Sequence, residues 1–375
     1  MGISGGVDSA VAAALLKEQG YEVIGVHLYC FDEGPWCTAS EDRVSAVRVA
    51  EHLGIPLLVW DLRKQYRSKV VNYFFKEYRA GRTPNPDIVC NREIKFGIFL
   101  EKALEELGAD YVATGHYARI ARSEQRTANS EQQESREPLT VSHKLLRGVD
   151  ESKDQSYFLY TLTQKQLGHI LFPIGELTKK EVRKIAADLD LPNKDRPDSQ
   201  GICFIGPVDV GRFLREHLPK TAGPVVSTKG EVIGEHDGVW FFTEGQRRGF
   251  RVFKPGYPLY VIRKDLKTNI LVVGRGKESA VRKFVVEDVS WVGAANPSGL
   301  RSSNPKGLSD GFFLGKVGVR IRHLGEIMPA TLKSADSGSL VVTLTAPTRG
   351  VAPGQSAVFY RGEEVLGGGV IEKTG

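Results

Sequence analysis

Cysteine and methionine are scarce in this chain of 375 residues, at 4 and 2. Cys30, Cys37, Cys90 and Cys203 show no C-x-x-C spacing. Neither a zinc ribbon nor a disulfide framework follows from such spacing, no resident metal site is read, and individually placed thiols fit a reducing, cytosol-like compartment. Long apolar runs are missing too. No stretch approaches membrane-spanning length and the first residues do not read as a secretory signal, so no membrane partner is expected. Charge of one sign is not in large excess: 51 basic against 45 acidic residues leave a formal +6. That balance suits a polyanionic partner without demanding one.

The glycine-rich turn Ser4-Gly5-Gly6-Val7-Asp8-Ser9 is also informative in what it lacks. It has no Gly-Lys-Ser/Thr ending of a P-loop and no third spaced glycine of a dinucleotide fingerprint. What it does have is an anion cradle. Glycines remove the Cβ atoms that would hold backbone away from a phosphate, and the apolar run from Ala10 to Leu16 predicts a helix whose N-terminus faces that anion. Ser4 and Ser9 add hydroxyl donors, while Asp8 beside a polyphosphate calls for Mg2+ between them. A serine-capped helix would explain Ser-Gly-Gly alone. The whole hexapeptide resembles the loop of the PP-loop ATP pyrophosphatases, which cleave ATP between the α- and β-phosphates. In such enzymes a buried strand precedes the loop; here only Met1-Gly2-Ile3 does, so the chain looks clipped at its start. A mitochondrial or plastid location is the alternative to a cytoplasmic one.

A helix closing at Gly20, a strand over Tyr21–Leu28, a helix from Glu41 to Gly54, a strand over Leu57–Trp60 and another from Gly108 to His116 form a βαβ alternation. This pattern predicts a mostly parallel sheet with ligands at the carboxyl ends of its strands, where Leu28, Gly115 and His116 fall. Residues 122–136 are rich in Ser, Gln, Glu and Asn and read as a solvated insertion. Thr178-Lys179-Lys180-Glu181 has capping-box spacing, followed by Val182, Ile185, Ala186 and Leu189 on one face; Lys179, Lys180, Arg183 and Lys184 are expected outward, as solvated surface. Past Cys203 short alternating runs with turn residues predict small β domains. Boundaries near Gly211 and Gly276 divide the chain into 1–210, 211–276 and 277–375. In the last part Val317, Val319 and Ile321 alternate with Lys316, Arg320 and Arg322, the pattern of a strand with a basic stripe.

Pro84 and Pro86 predict an extended, rigid loop that becomes helical only after Asn91 and presents Asn85, Asp87 and Cys90 at its tip. Asn85 suits a base edge, Asp87 can move a proton and Cys90 can be a nucleophile, made more acidic by Arg92 and Lys95 if these lie close in space. Cys203, within Asp198–Gly206, has apolar neighbours and passes as core on its own. Its case rests on partnership, because a thiol that hands on sulfur needs a second thiol to carry or release it.

Ser4–Ser9, Thr83–Asn91, Ala113–Tyr117, Lys153–Leu159, Gly201–Gly206, Gly245–Gly249 and Pro353–Val358 together resemble the tRNA-specific 2-thiouridylases, the MnmA/TrmU family, in order and across nearly the whole chain. The resemblance implies an α/β, Rossmann-like PP-loop domain of the adenine nucleotide α-hydrolase type, a small central domain and a C-terminal β barrel that binds tRNA. It implies that ATP, with Mg2+, adenylates O2 of the wobble uridine, and that sulfur from a cysteine persulfide then displaces AMP. Carried over by position, Cys90 is the nucleophile, Cys203 the persulfide carrier and Asp87 the general acid/base. Asn85, Pro86 and Asp87 meet the target base; Ser4, Gly5, Gly6, Val7, Asp8, Ser9, Leu28 and Gly115 meet ATP. His116, Lys153, Asp154, Gln155, Arg322, His323 and Gln355 meet tRNA, with His323 standing where an aromatic residue is usual. The partners implied are the anticodon stem-loop of tRNA and a persulfide donor, either a cysteine desulfurase or a relay protein. Alternatives stay open: a PP-loop ligase or amidotransferase acting on a small carboxylate, a non-enzymatic RNA-binding protein, or an iron–sulfur site on Cys90, Cys203 and one of Cys30 or Cys37.

Overall fold

The computed structural model describes residues 1–34, 37–125, 140–198, 201, 203, 205, 210–254, 256–293, 313–335 and 338–374. Its first sheet is held together by the three residues that precede the glycine-rich loop. Ile3 N donates to Val26 O at 2.9 Å, Gly2 N donates to Ala113 O at 2.9 Å, and Gly2 bridges Val26 in parallel. Met1–Ile3 thereby joins the parallel pair Gly25–Tyr29 and Leu57–Asp61 to the parallel pair Val112–Ala113 and Ile170–Leu171. In the segment expected to be too short for a first strand, Met1 and Ile3 are buried and the backbone is bonded on both edges. The strand expected over Gly108–His116 shrinks to Val112–Ala113, and the residues after it turn toward the loop.

Helix Val7–Glu18 is buried nearly all round, because Ala10, Val11, Ala12 and Ala13 give it a thin profile between neighbours. It packs on helix Lys179–Asp188 through Val182 and Ala186. The capping box expected at Thr178 and Glu181 is formed. Helix Ala39–Leu53 ends at Gly54 in the left-handed conformation, where glycine carries no Cβ penalty.

The proline-bound segment differs from its expectation. A helix starts at Pro86 and continues through wide, π-type turns over Asn91–Ile98 into Phe99–Glu106. Pro86 stands in the first helical position, where a missing N–H costs nothing and the fixed φ suits the helix, and Asn85 caps it. Cys90 therefore lies inside a buried helix and not at a loop tip.

Arg122–Gln125, expected within the insertion, belongs to strand Ala118–Gln125, which pairs with Thr140–Arg147; the remainder, 126–136, lies outside the described residues. Five strands between Gly223 and Gly274 form a central sheet. The last part is a closed six-stranded barrel running Val281–Trp291, Leu340–Thr348, Met328–Ser334, Phe313–Arg320, Ser356–Arg361 and Glu364–Thr374, with the last strand pairing back to the first. The Ala118–Arg147 hairpin adds to this barrel through Glu364↔Leu146 and Val365↔Leu145. Val317, Val319 and Ile321 face the barrel core as expected, but Arg320 is buried as well. Its guanidinium bonds the buried Asp154 carboxylate at 2.7 Å and lies 5.2 Å from the Tyr360 ring centroid, so no basic stripe runs through this position.

Asp154 also accepts Gly148 N and Ser156 N, each at 3.1 Å, and so ties the first domain to the barrel. Asp154→Ala is expected to destabilise the protein by about 3–5 kcal/mol in urea unfolding, because it strands a buried guanidinium. Combining it with Arg320→Met should recover part of that loss; a double variant as unstable as the sum of the single ones would disprove the coupling.

Candidate active site

Gly5 has φ 86°, and a Cβ there would stand 2.4 Å from Asp42 O, so only glycine makes this turn. Its carbonyl accepts from Ser45 Oγ (2.7 Å), Asn193 Nδ2 (2.9 Å) and Arg196 Nη1 (3.1 Å). Ser9 Oγ donates to Gly6 O at 2.9 Å and accepts from Ser4 N at 3.2 Å. Helix Val7–Glu18 begins at Gly6 without a side-chain cap, which leaves its leading N–H groups and positive dipole end for an anion. Asp8 sits in that first turn. Its Oδ1 accepts from Tyr117 Oη (2.8 Å) and Lys179 Nζ (2.7 Å), so Oδ2 is the oxygen that fits a divalent cation brought with a nucleotide. Lys179, expected outward, is 15% exposed and also bonds Asp198 at 2.8 Å; Arg183 joins it there at 2.6 Å. Val182 and Ala186 pack this helix on Val7–Glu18, and that packing brings its first residue over Asp8.

The turn after Val112–Ala113 touches this cradle directly. A Cβ on Gly115 would lie 2.7 Å from both Asp8 C and Ser9 N. One residue further, His116 is buried between Phe96 and Phe172, with each ring centroid 5.8 Å away. Its Nε2 is 3.5 Å from Lys95 Nζ and its Nδ1 2.7 Å from Thr114 Oγ1. An ammonium can only donate, so Nε2 accepts and Nδ1 carries the proton. Burial, then the Lys95 charge, push the imidazole pKa well below its ordinary value and keep it neutral. His116 thus supports Lys95 from behind, where an RNA contact was expected. Leu28 is buried at the carboxyl end of Gly25–Tyr29.

Lys95 belongs to the sulfur site. Cys90 is fully buried and its Sγ donates to Cys203 Sγ across 3.7 Å. Burial, and then the Cys203 sulfur, push the Cys90 thiol well above the usual range. Cys203 moves the other way. The Cys90 S–H bond, opposed by burial and aided by the Lys95 charge, brings its thiol down to about 7. Within the pair Cys90 is the donor and Cys203 the more acidic thiol. Burial alone would lower the Lys95 pKa, but the two sulfurs and Asp87 outweigh it and keep the ammonium charged. Asp87 Oδ1 accepts Cys203 N at 3.0 Å, and Tyr66 Oη donates to Cys203 O at 2.5 Å. Burial raises the Asp87 carboxyl despite that N–H and Lys95, which suits a group that takes up and returns a proton. Arg92 is exposed and bonded to Glu93, so of the two cations expected near Cys90 only Lys95 acts on the sulfurs. Cys30 is buried with its thiol pushed far up, chiefly by burial, and Cys37 Sγ donates to Phe31 O at 3.5 Å. Among the described residues no three His, Cys, Asp or Glu side chains are grouped to hold a metal ion.

All three parts of the chain meet just before Asn85. Thr83 N donates to Pro353 O at 2.8 Å, Gln355 Nε2 donates to Thr83 O at 2.9 Å, and the Thr83 and Thr243 hydroxyls lie 2.9 Å apart. Asn85 caps Ile88 N at 3.4 Å and hydrogen-bonds the Tyr157 hydroxyl. Gln355 therefore clamps the loop. Among the other residues expected to meet tRNA, Lys153 binds Asp198 at 2.6 Å, Gln155 accepts Tyr117 N at 3.0 Å and Asp154 is enclosed. Arg322 is exposed; His323 stacks on Phe158 at 4.4 Å, and burial lowers its pKa to about 4. The sequence reading passed over Tyr66, Tyr117, Asn193, Arg196 and Asp198. For two of these the signal was in plain view: Tyr117 ends the Thr-Gly-His-Tyr motif and Asp198 opens the segment that leads to Cys203.

Residues 1–207 match a family model described as the tRNA methyl transferase HUP domain, 211–275 the tRNA methyl transferase PRC-barrel domain, and 281–371 the aminomethyltransferase beta-barrel domain. The chain is 43% identical over 378 residues to tRNA-specific 2-thiouridylase MnmA of Bacillus subtilis, covering 99% of this chain and 94% of that one. It is 45% identical to tRNA-specific 2-thiouridylase MnmA 2 of Geobacillus kaustophilus, with 100% and 94% covered. Identity to tRNA-specific 2-thiouridylase MnmA of Proteus mirabilis is 44%, with 99% and 96% covered.

Alkylation of Cys203 by iodoacetamide, followed by peptide mass spectrometry, is expected to reach half its limiting rate near pH 7. Cys90→Ala removes the largest acidifying contact, and Lys95→Met a smaller one, so each should move that midpoint upward. A wild-type midpoint at the ordinary thiol value would contradict this arrangement.

Proposed function

The chain belongs to the tRNA-specific 2-thiouridylase family, and from that membership we propose that it carries out ATP-dependent 2-thiolation of the wobble uridine. It is a tRNA sulfurtransferase of PP-loop type that uses ATP. The observation that carries the finer reading is the Thr114–His116 turn. Gly115 lies against the phosphate cradle and His116 against the lysine of the thiol pair, so nucleotide and sulfur are brought to opposite ends of one short turn.

The uridine C2 carbonyl is urea-like and a poor electrophile, so the first step gives it a leaving group. O2 attacks the α-phosphorus of ATP, and the bond to pyrophosphate breaks with its electron pair on pyrophosphate. Asp87 takes the N3 proton and passes it to water. Mg2+, with Asp8 among its ligands, would supply neutralisation of the phosphates. The cradle N–H groups hold the phosphates in place. Flipping the uridine out of its stack would bring it to Asn85, Pro86 and Asp87, which the barrel and central sheet hold through Thr83.

Sulfur enters as a persulfide on Cys203, whose thiolate can attack the persulfide of a donor protein. The terminal sulfur attacks C2 and AMP departs with the C2–O electron pair. Cys90 then attacks Cys203 Sγ. A Cys90–Cys203 disulfide forms, the sulfur stays on the base with the released pair, and Asp87 relays the Cys90 proton to N3. A dithiol reductant restores the two thiols. The 3.7 Å contact between the sulfurs supports this exchange. Methyl transfer, the chemistry in the family models' descriptions, calls for neither a thiol pair nor cleavage of ATP.

In this reading residues 1–210 form the catalytic domain, 211–276 a small central domain and 277–375 a barrel that meets the anticodon stem-loop. Arg322, His323, Lys153, Gln155 and Gln355 border tRNA, and a cysteine desulfurase or relay protein supplies sulfur in the cytoplasm. Purified protein given unmodified tRNA, Mg-ATP and a persulfide donor should exchange oxygen for sulfur at the wobble uridine, read by mass spectrometry of the digested RNA. Cys90→Ser and Cys203→Ser should each abolish the exchange. Thiolation by either variant would remove that cysteine from the mechanism, and tRNA binding without AMP formation in wild type would favour a non-enzymatic role.

A further inference from the structure

We infer that Lys179 is a pyrophosphate-binding residue that changes partners during the reaction, held on Asp8 and Asp198 in the resting enzyme and transferred to the departing pyrophosphate when ATP is present. The inference rests on the nucleotide reading of the cradle, though not on the identity of the acceptor base.

Lys179 is positioned with little freedom. It opens helix Lys179–Asp188; its N donates to Asp150 Oδ2 at 2.9 Å, and the Thr178–Glu181 capping box fixes the residue before it. Its Nζ bonds Asp8 at 2.7 Å and Asp198 at 2.8 Å, and lies 5.9 Å from the Tyr117 ring centroid. Asp8 stands in the first turn of the very helix whose free N–H groups would receive phosphate. Without Lys179, that carboxylate and the incoming phosphates would repel each other at short range.

The neighbouring charges make an exchange of partners inexpensive. Asp198 is also bonded by Lys153 and Arg183, each at 2.6 Å. Burial alone would raise its carboxyl, but the three cations hold it well below the usual carboxylate range. If Lys179 moves to a phosphate, Asp198 keeps two cations, and Asp8 keeps the Tyr117 hydroxyl on Oδ1 with Oδ2 open to the divalent ion that accompanies ATP. No buried charge is left unpaired, the condition that makes such a move affordable. The gain comes in the step itself. As O2 bonds to the α-phosphorus, the electron pair of the breaking bond collects on pyrophosphate, and an ammonium already at that end stabilises the charge as it develops.

The test uses full-length protein with pyrophosphate alone, in chelator and then with Mg2+, read by titration calorimetry. Lys179→Met should weaken pyrophosphate binding about tenfold or more, the scale of a lost charge-assisted bond, and Lys179→Arg should restore part of it. Asp8→Asn should act in the opposite direction in chelator and tighten metal-free pyrophosphate binding, because Lys179 is released from its carboxylate. A purely structural lysine would give loss in both variants. Unchanged affinity in Lys179→Met, or weaker metal-free binding in Asp8→Asn, overturns the inference. Wild-type tRNA affinity in Lys179→Met, measured by filter binding, confirms that the variant is folded. Because no tRNA or thiol enters the titration, its outcome is separate from that of the thiolation assay.

Discussion

The backbone at Gly115 lies against the backbone of Asp8 and Ser9 more closely than any side chain would allow, and the geometry of both half-sites follows from that contact. Two short parallel strand pairs, joined through Met1–Ile3, bring the glycine-rich loop and the Thr114–His116 turn to the same end of the sheet. From there the turn reaches in two directions. On one side it closes the phosphate cradle; on the other it sets His116 behind Lys95, and Lys95 beside the sulfurs. In the proposed reaction, a displacement of the turn would separate activation of the base from delivery of sulfur to it.

Around this contact the molecule holds charges in pairs that can be rearranged. Cys90 donates to Cys203, so the two thiols are driven apart in acidity. Lys95 stays charged in a buried setting because sulfur and carboxylate surround it. Lys179 stands between Asp8 and Asp198 in a comparable way. Each cation has more than one anion within reach, so a change of partner does not strand a charge in a poorly solvated interior. Enclosure and chemistry thus depend on one another.

The barrel and central sheet contribute by position more than by reactive groups. Pro353, Gln355 and Thr243 hold Thr83, and Thr83 leads directly to Asn85 and the helix that carries Asp87 and Cys90. The Ala118–Arg147 hairpin extends the barrel sheet, and the Asp154–Arg320 pair locks the same junction from within. A contact on the barrel is therefore connected through Thr83 to the helix that carries Asp87 and Cys90.

Much of this was legible in one dimension because the features were local. A glycine turn ahead of an alanine-rich helix, a capping box at Thr178 and the alternation of Val317, Val319 and Ile321 each depend on residues a few positions apart, and each formed as read. The matched segments carried the family. Local logic misjudged Pro86, because a proline in the first helical turn and a proline in an extended loop look alike until the following residues are seen to be buried. It also placed Arg320 and Lys179 on surfaces, since charge in a sequence suggests solvent, and set His116 near the nucleotide with a tRNA to meet. Only the tertiary structure supplied their partners, Asp154, Asp8 and Lys95, from distant parts of the chain. The sequence by itself determined which reactive groups this protein possesses. Which thiol is the more acidic, which lysine lies on Asp8 and which arginine is internal were decided by burial and long-range pairing, because a group's charge state depends on neighbours that chain order does not specify.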